Sequence, residues 1–149
     1  MTYLQAQSCG NQLKLLFCNN REHINPFNLY FCNVNKGNLS IKTLHKHIPT
    51  LYDIDFPLNI TQKSYMDLFP RDRLVYLTPH CRTYLNTWDH DAIYIIGALF
   101  DNSSEEHLTL AKAKENGLKY AKLPFEKYIS WGPGSSKSIP LNQVRLWVT

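Results

Sequence analysis

The segment Ile93-Tyr-Ile-Ile-Gly-Ala-Leu-Phe100 constrains the fold of this 149-residue chain most, because it is apolar on both faces and ends in Asp101. Strands with one wet face alternate apolar and polar side chains, whereas an unbroken apolar run suits a parallel strand covered on both sides. The spacing predicts a central strand over Ile93–Phe100. Leu74–Leu77 reads as a second buried strand ended by Thr78-Pro79, Tyr120–Leu123 as a third, and Leu29–Val34, led in by Pro26, as a fourth. Lys36-Gly37-Asn38 is a turn, followed by a helix capped by Ser40 that runs to about Ile48 and is closed by Pro49. A loop over Asp53–Leu58 and a turn over Ser64–Phe69 come next, and Arg82–Trp88 reads as a short helix. Thr109–Asn116 is helical with Gly117 as its stop, and Pro124 opens a helix that halts at Gly132-Pro133-Gly134. The first segment, Tyr3–Asn20, carries Leu4, Leu13, Leu16 and Phe17 at helical spacing, weakened by Gly10, and Leu141–Val148 is a last amphipathic stretch. Short strands alternating with helices of about ten residues are βαβ units, so the fold class is α/β, a mostly parallel sheet with helices on both faces.

One compact domain over residues 1–149 is the expectation from length. With 44% apolar and 19% charged residues the chain is not of the disordered class. The longest apolar run, Ala92–Phe100, is too short for a membrane-spanning helix, which needs about 20 residues. No secretory or transit leader follows Met1, and both ends are expected to be cut, because helices start and stop there abruptly. The net charge of +4 is unevenly spread: residues 1–110 carry nine basic and ten acidic groups, residues 111–149 seven basic and two acidic. That excess makes Lys112, Lys119, Lys122, Lys127 and Arg145 candidates for phosphate contact, set against the plainer reading of a solvated helix face and strand edge. Cys9, Cys18, Cys32 and Cys81 include no close pair and no His at ligand spacing, so no metal site is expected and the thiols read as reduced and mostly buried.

Ligands of parallel sheets sit beyond the carboxyl ends of the strands, which selects Thr78, Asp101 and the residues after Leu123. Asp101 can staple the loop that follows it, or, partly desolvated, accept a proton or orient a base. Gly97 marks either a bulge or a close approach of another group to the backbone. Gly132-Pro-Gly-Ser-Ser-Lys-Ser138 is not a nucleotide-binding P-loop, since Ser136 precedes Lys137 and a helix rather than a strand precedes the loop. It is a connector or a loop that covers a ligand. The histidines His45, His47 and His90 form no ligand or catalytic pattern, and no Gly-x-Ser-x-Gly elbow is present.

Pro26–Val34, Asp67-Leu-Phe-Pro70, Val75-Tyr-Leu-Thr78, Ile93-Tyr-Ile-Ile-Gly97 with Asp101, Leu108–Lys114, Leu123-Pro-Phe-Glu-Lys-Tyr128 with Trp131, and Leu141-Asn-Gln143 occur in a characteristic order. In that order and approximate spacing the chain resembles the SPOUT-class tRNA methyltransferases that modify N1 of the purine at the ninth tRNA position. The branch it is most similar to is the methyltransferase subunit of animal mitochondrial ribonuclease P. The resemblance implies a C-terminal trefoil knot and S-adenosylmethionine held by Leu77, Thr78, Gly97, Asp101, Leu123, Pro124, Lys137, Ser138, Ile139, Leu141 and Asn142. It also implies Asp101 as the catalytic carboxylate and Gln12 as a substrate-orienting side chain. Its further implications are a mitochondrial matrix location, mitochondrial tRNA and precursor tRNA as substrates, and a short-chain dehydrogenase and a protein-only nuclease as partners. By the same resemblance, an acidic strand before the first helix and the end of the last helix are missing from this chain. Two other readings stand beside it: a non-catalytic subunit that presents precursor tRNA, and a generic α/β cofactor-binding enzyme.

Overall fold

The computed structural model describes residues 2–98 and 107–134. These fall into two compact units, one formed by residues up to Leu68 and one beginning at Phe69.

The first unit opens with α1 (Tyr3–Glu22), started by a reciprocal cap in which the Thr2 side chain accepts from the Gln5 amide while the Gln5 side chain accepts from the Thr2 amide. Its buried face, Ala6, Cys9, Gly10, Leu13, Leu16, Phe17 and Asn20, packs on α2 (Leu39–His47). The cap of α2 is Asn38, whose side chain accepts from the Ser40 amide, so Ser40 is not the cap expected from sequence but the buried second residue of the helix. β1 (Tyr30–Phe31) and β2 (Asn59–Ile60) pair in parallel across α2, a short βαβ unit. The expected strand over Leu29–Val34 is cut short because Asn33 adopts a positive φ of 54°, a conformation Asn tolerates and an extended strand excludes. Its amide and that of Val34 still bond to the carbonyls of Lys63 and Thr61. β2 falls just beyond the expected loop over Asp53–Leu58 and was not expected as a strand, and α3 (Tyr65–Leu68) occupies the expected turn.

The second unit contains a 3-10 turn at Arg71–Arg73 and a parallel sheet in the order β4–β3–β5, formed by β3 (Leu74–Leu77), β4 (Ile93–Ile96) and β5 (Lys119–Ala121). Helix α4 (Leu108–Glu115) links β4 to β5 and packs on β3 and β5. It ends at Gly117, as expected, with φ of 62°. The central strand is β3 rather than the segment from Ile93: Leu74, Tyr76 and Leu77 are buried, while β4 pairs with β3 alone among the described residues and is half-buried. β4 ends at Ile96, and Phe100, the expected end of the strand, lies outside the described residues.

Residues 82–88 are not the expected helix. Thr83 accepts from the Lys122 amide and the Leu85 amide donates to the Lys122 carbonyl, forming a parallel bridge at Tyr84. The Ala121 carbonyl instead serves Thr78 on β3. Successive residues of a strand address opposite neighbours, so the segment runs along the far edge of β5 and its backbone groups are taken by that edge. α5 (Phe125–Tyr128) follows Pro124 but ends four residues short of Gly132. Among the described residues no helix is long and apolar enough to cross a membrane.

Candidate functional site

The parallel register aligns three strand ends. Leu77 lies opposite Ile96 on one side and Ala121 on the other, so Thr78, Gly97 and Lys122 are each the next residue out from a common level. Leu77 and Thr78 are buried, and Gly97, Leu123 and Pro124 are half-buried. Five of the expected cofactor residues therefore gather at one edge of one sheet. Asp101, Lys137, Ser138, Ile139, Leu141, Asn142 and Arg145 lie outside the described residues. Gln12 is half-buried on α1, in the first unit.

Thr78 is 2% exposed, and its hydroxyl makes a 2.7 Å bond with the hydroxyl of Thr109, itself buried in the first turn of α4. The His80 amide also donates to the Thr78 hydroxyl at 3.3 Å, and the Cys81 thiol donates to the carbonyls of Thr78 and Thr83. The turn after β3 is thus tied both to itself and to α4. The His80 and His107 rings stack at 4.0 Å between centroids.

Beyond β5 the basic residues have specific neighbours. Lys122 and Lys127 place their ammonium groups 4.3 and 4.5 Å from the centre of the Tyr84 ring, while the Tyr84 hydroxyl donates to Glu126 at 2.9 Å. Lys122 also lies 3.7 Å from Glu126. The Tyr84 hydroxyl and the Glu126 charge hold Lys122 above its ordinary value against an opposing contribution from burial, so it is cationic at neutral pH. Lys112 pairs with Glu115 at 3.2 Å, and Lys119 donates to the Asp72 carbonyl at 3.3 Å. The Trp131 indole N–H is buried without an acceptor among the described residues.

Sequence reasoning missed Thr109, His80, His107, Tyr84 and Glu126. The one available signal was the spacing of Thr109 and Ala113, four apart on one helical face and both buried. Nothing local links Thr109 to Thr78 or Tyr84 to Lys122. Burial pushes the thiol of Cys9 up, opposed by a hydrogen bond from Ser40, and pushes Cys32 up without opposition. Cys9 and Cys81 are buried, Cys18 and Cys32 half-buried, and all four are free thiols.

These features define an α/β protein of parallel strands with its candidate residues on the carboxyl rim of the second sheet. Comparison with known proteins refines the class. A family model described as tRNA (guanine(9)-N(1))-methyltransferase TRM10/TRM10A matches residues 1–144, and the chain belongs to that family. It is 44% identical over 144 residues to the mitochondrial ribonuclease P protein 1 homolog of Drosophila melanogaster, covering 97% of this chain and 32% of that protein. It is 37% identical over 125 residues to human tRNA methyltransferase 10 homolog C, covering 84% of this chain and 30% of that protein. The chain therefore spans about a third of the length of these relatives. Crystal structures of spTrm10(74) and of a full-length spTrm10–SAH complex superpose with TM-scores of 0.83 and 0.82. Each is 31% identical and covers 97% of this chain and 76% of the other, which establishes the mixed helix and parallel-sheet architecture.

Proposed function

We propose that the protein to which this chain belongs transfers a methyl group from S-adenosylmethionine to N1 of the purine at the ninth position of mitochondrial tRNA. We further propose that it acts as the methyltransferase subunit of mitochondrial ribonuclease P, beside a short-chain dehydrogenase and a protein-only nuclease. The observation that carries this reading is the common level of Thr78, Gly97 and the residues after Ala121 at the carboxyl rim of three adjacent parallel strands, in a chain of the TRM10 family. The spTrm10–SAH structure supports the choice of donor.

The described rim residues fit such a group. Gly97 brings no side chain, and Leu77, Leu123 and Pro124 are apolar, so the rim offers apolar walls and backbone groups, as an uncharged heteroaromatic ring requires. The donor supplies an activated methyl on a sulfonium, which leaves the chain the task of alignment and proton removal. In this reading the rim residues, together with Asp101, Lys137, Ser138, Ile139, Leu141 and Asn142, hold the donor. Guanine N1 carries a proton at neutral pH, and Asp101 takes it; adenine N1 carries none, and there Asp101 accepts from the exocyclic amine. Gln12 orients the base, and Lys112, Lys119, Lys122, Lys127 and Arg145 meet RNA phosphates. In the same reading, residues 1–149 belong to one methyltransferase domain with helices on both faces of its sheet and a C-terminal trefoil knot.

Titration with S-adenosylhomocysteine tests the donor site. At a hundredfold excess over Kd it should stabilise the protein by about 2.7 kcal/mol. No rise in melting temperature at any concentration would sink the assignment. Asp101→Asn in the full-length protein should abolish guanine methylation; retained guanine activity removes Asp101 as the base. Precursor cleavage that survives this variant would show that a role in presenting precursor tRNA is separable from methyl transfer.

A further inference from the structure

The turn after β3 is fastened to α4 at two points with matching spacing. Thr78 meets Thr109 through a buried 2.7 Å hydroxyl bond, and His80, two residues on, stacks on His107, two residues before Thr109, at 4.0 Å and 18° between ring planes. His107 stands at the N-cap position of α4 yet makes no capping bond, so its ring is not committed to the helix start. The Thr109 hydroxyl reaches across to another element. A single contact would leave the turn free to pivot, whereas two contacts on antiparallel stretches fix both its height above the sheet and its angle. The segment so fixed is the rim residue Thr78 and the turn that follows it. The helix that fixes it begins seven residues after Asp101 in sequence.

We propose that Thr109 and His107 are positioning residues that clamp the Thr78–His80 turn into the shape needed by the methyl donor. The proposal rests on the donor site put forward above. Neither residue touches the donor; both act through Thr78 and His80. The buried hydroxyl pair sets the turn's depth, and the stack, with His80 half-buried and His107 exposed, closes its outer side.

The test uses the full-length protein and the variants Thr109→Val, Thr109→Ser, His107→Ala and His107→Phe. Two readouts are taken: amide exchange of the peptide covering residues 78–81, and Kd for S-adenosylhomocysteine together with the KM and kcat of methyl transfer. Thr109→Val and His107→Ala should each speed exchange in that peptide and raise Kd and KM about tenfold, with a smaller change in kcat. Thr109→Ser restores the hydroxyl and His107→Phe the stacking ring, and both should return towards the parent values. Because His107 is exposed, its pair of variants decides the question even if Thr109→Val fails to fold. Unchanged exchange, or equal effects of the removing and restoring variants, overturns the clamp while the donor site stands. Absence of S-adenosylhomocysteine binding by the parent protein overturns the donor reading and the clamp's purpose with it.

Discussion

Replacing Gly10 by Ala opposes two effects whose relative size the structure decides. In an isolated helix the substitution is favourable by about 0.8–1 kcal/mol, because Gly is the poorest helix former after Pro. Gly10, however, is buried where α1 crosses α2. A Cβ there would lie 2.7 Å from the Ser40 carbonyl oxygen, 2.7 Å from Thr43 Cβ and 2.9 Å from Thr43 Cγ2. Ordinary contact begins at 3.4 Å, so the helices must part by about 0.7 Å, and the obstruction includes backbone that no rotamer change can move. Overpacking of this kind costs about 1–3 kcal/mol, and with a carbonyl in the way the upper part of that range applies. The net is a destabilisation of about 1.5 kcal/mol, which lowers the melting temperature of a chain of this size by about 3–6 °C. Thermal melts followed by circular dichroism read it directly. Asn11→Ala, at the exposed neighbouring position, supplies the propensity gain without the clash and should melt at or above the parent. A Gly10→Ala protein that melts higher than the parent would refute the close crossing.

Asn20 is buried and bonds both ways to Phe27, its Nδ2 donating to the carbonyl at 2.8 Å and its Oδ1 accepting from the amide at 2.9 Å. Asn20→Ala removes both bonds and should cost about 1–3 kcal/mol in urea melts, with Asn20→Asp recovering only the acceptor half; a loss under about 0.5 kcal/mol contradicts the staple. Native alkylation followed by mass spectrometry should modify Cys18 and Cys32 ahead of the buried Cys9 and Cys81, and equal labelling of all four would show that the burial is wrong. The Cys9 thiol is raised chiefly by burial, so it holds its proton in the folded state after the unfolded chain has lost its own. Its contribution to stability is full below the ordinary thiol value and is lost as pH rises from there through the raised value of the folded state, so in urea melts the gap between the parent and Cys9→Ala should narrow across that window.

Local signals carried the elements whose cause is local. The unbroken apolar run Leu74–Leu77 is β3 to the residue, and Thr109–Asn116 with Gly117 behind it is α4 within one residue at each end. The rule that ligands lie beyond parallel strand ends selects Thr78 and the residues after Leu123 as candidates from sequence alone. Pattern failed where the partner lay far along the chain. Arg82–Trp88 has the composition of a short helix, but its donors and acceptors are claimed by Lys122, some forty residues on. Asn59–Ile60 has no apolar alternation and becomes a strand only because β1 runs beside it. Gly10 reads as a flaw in a helix until α2 is seen to press against it.

By itself the sequence determined that parallel strands and helices alternate, where several of them begin and end, and which family the chain belongs to. Burial periodicity and chain-terminating residues act over a few positions, and a linear reading recovers them. Only the tertiary structure decided that β3 rather than the most apolar segment is central, that Lys122 bridges to Tyr84, and that Thr78 meets Thr109. Those outcomes follow from which backbone and side-chain groups must find partners once water is excluded, a requirement met in space and not by neighbours in sequence.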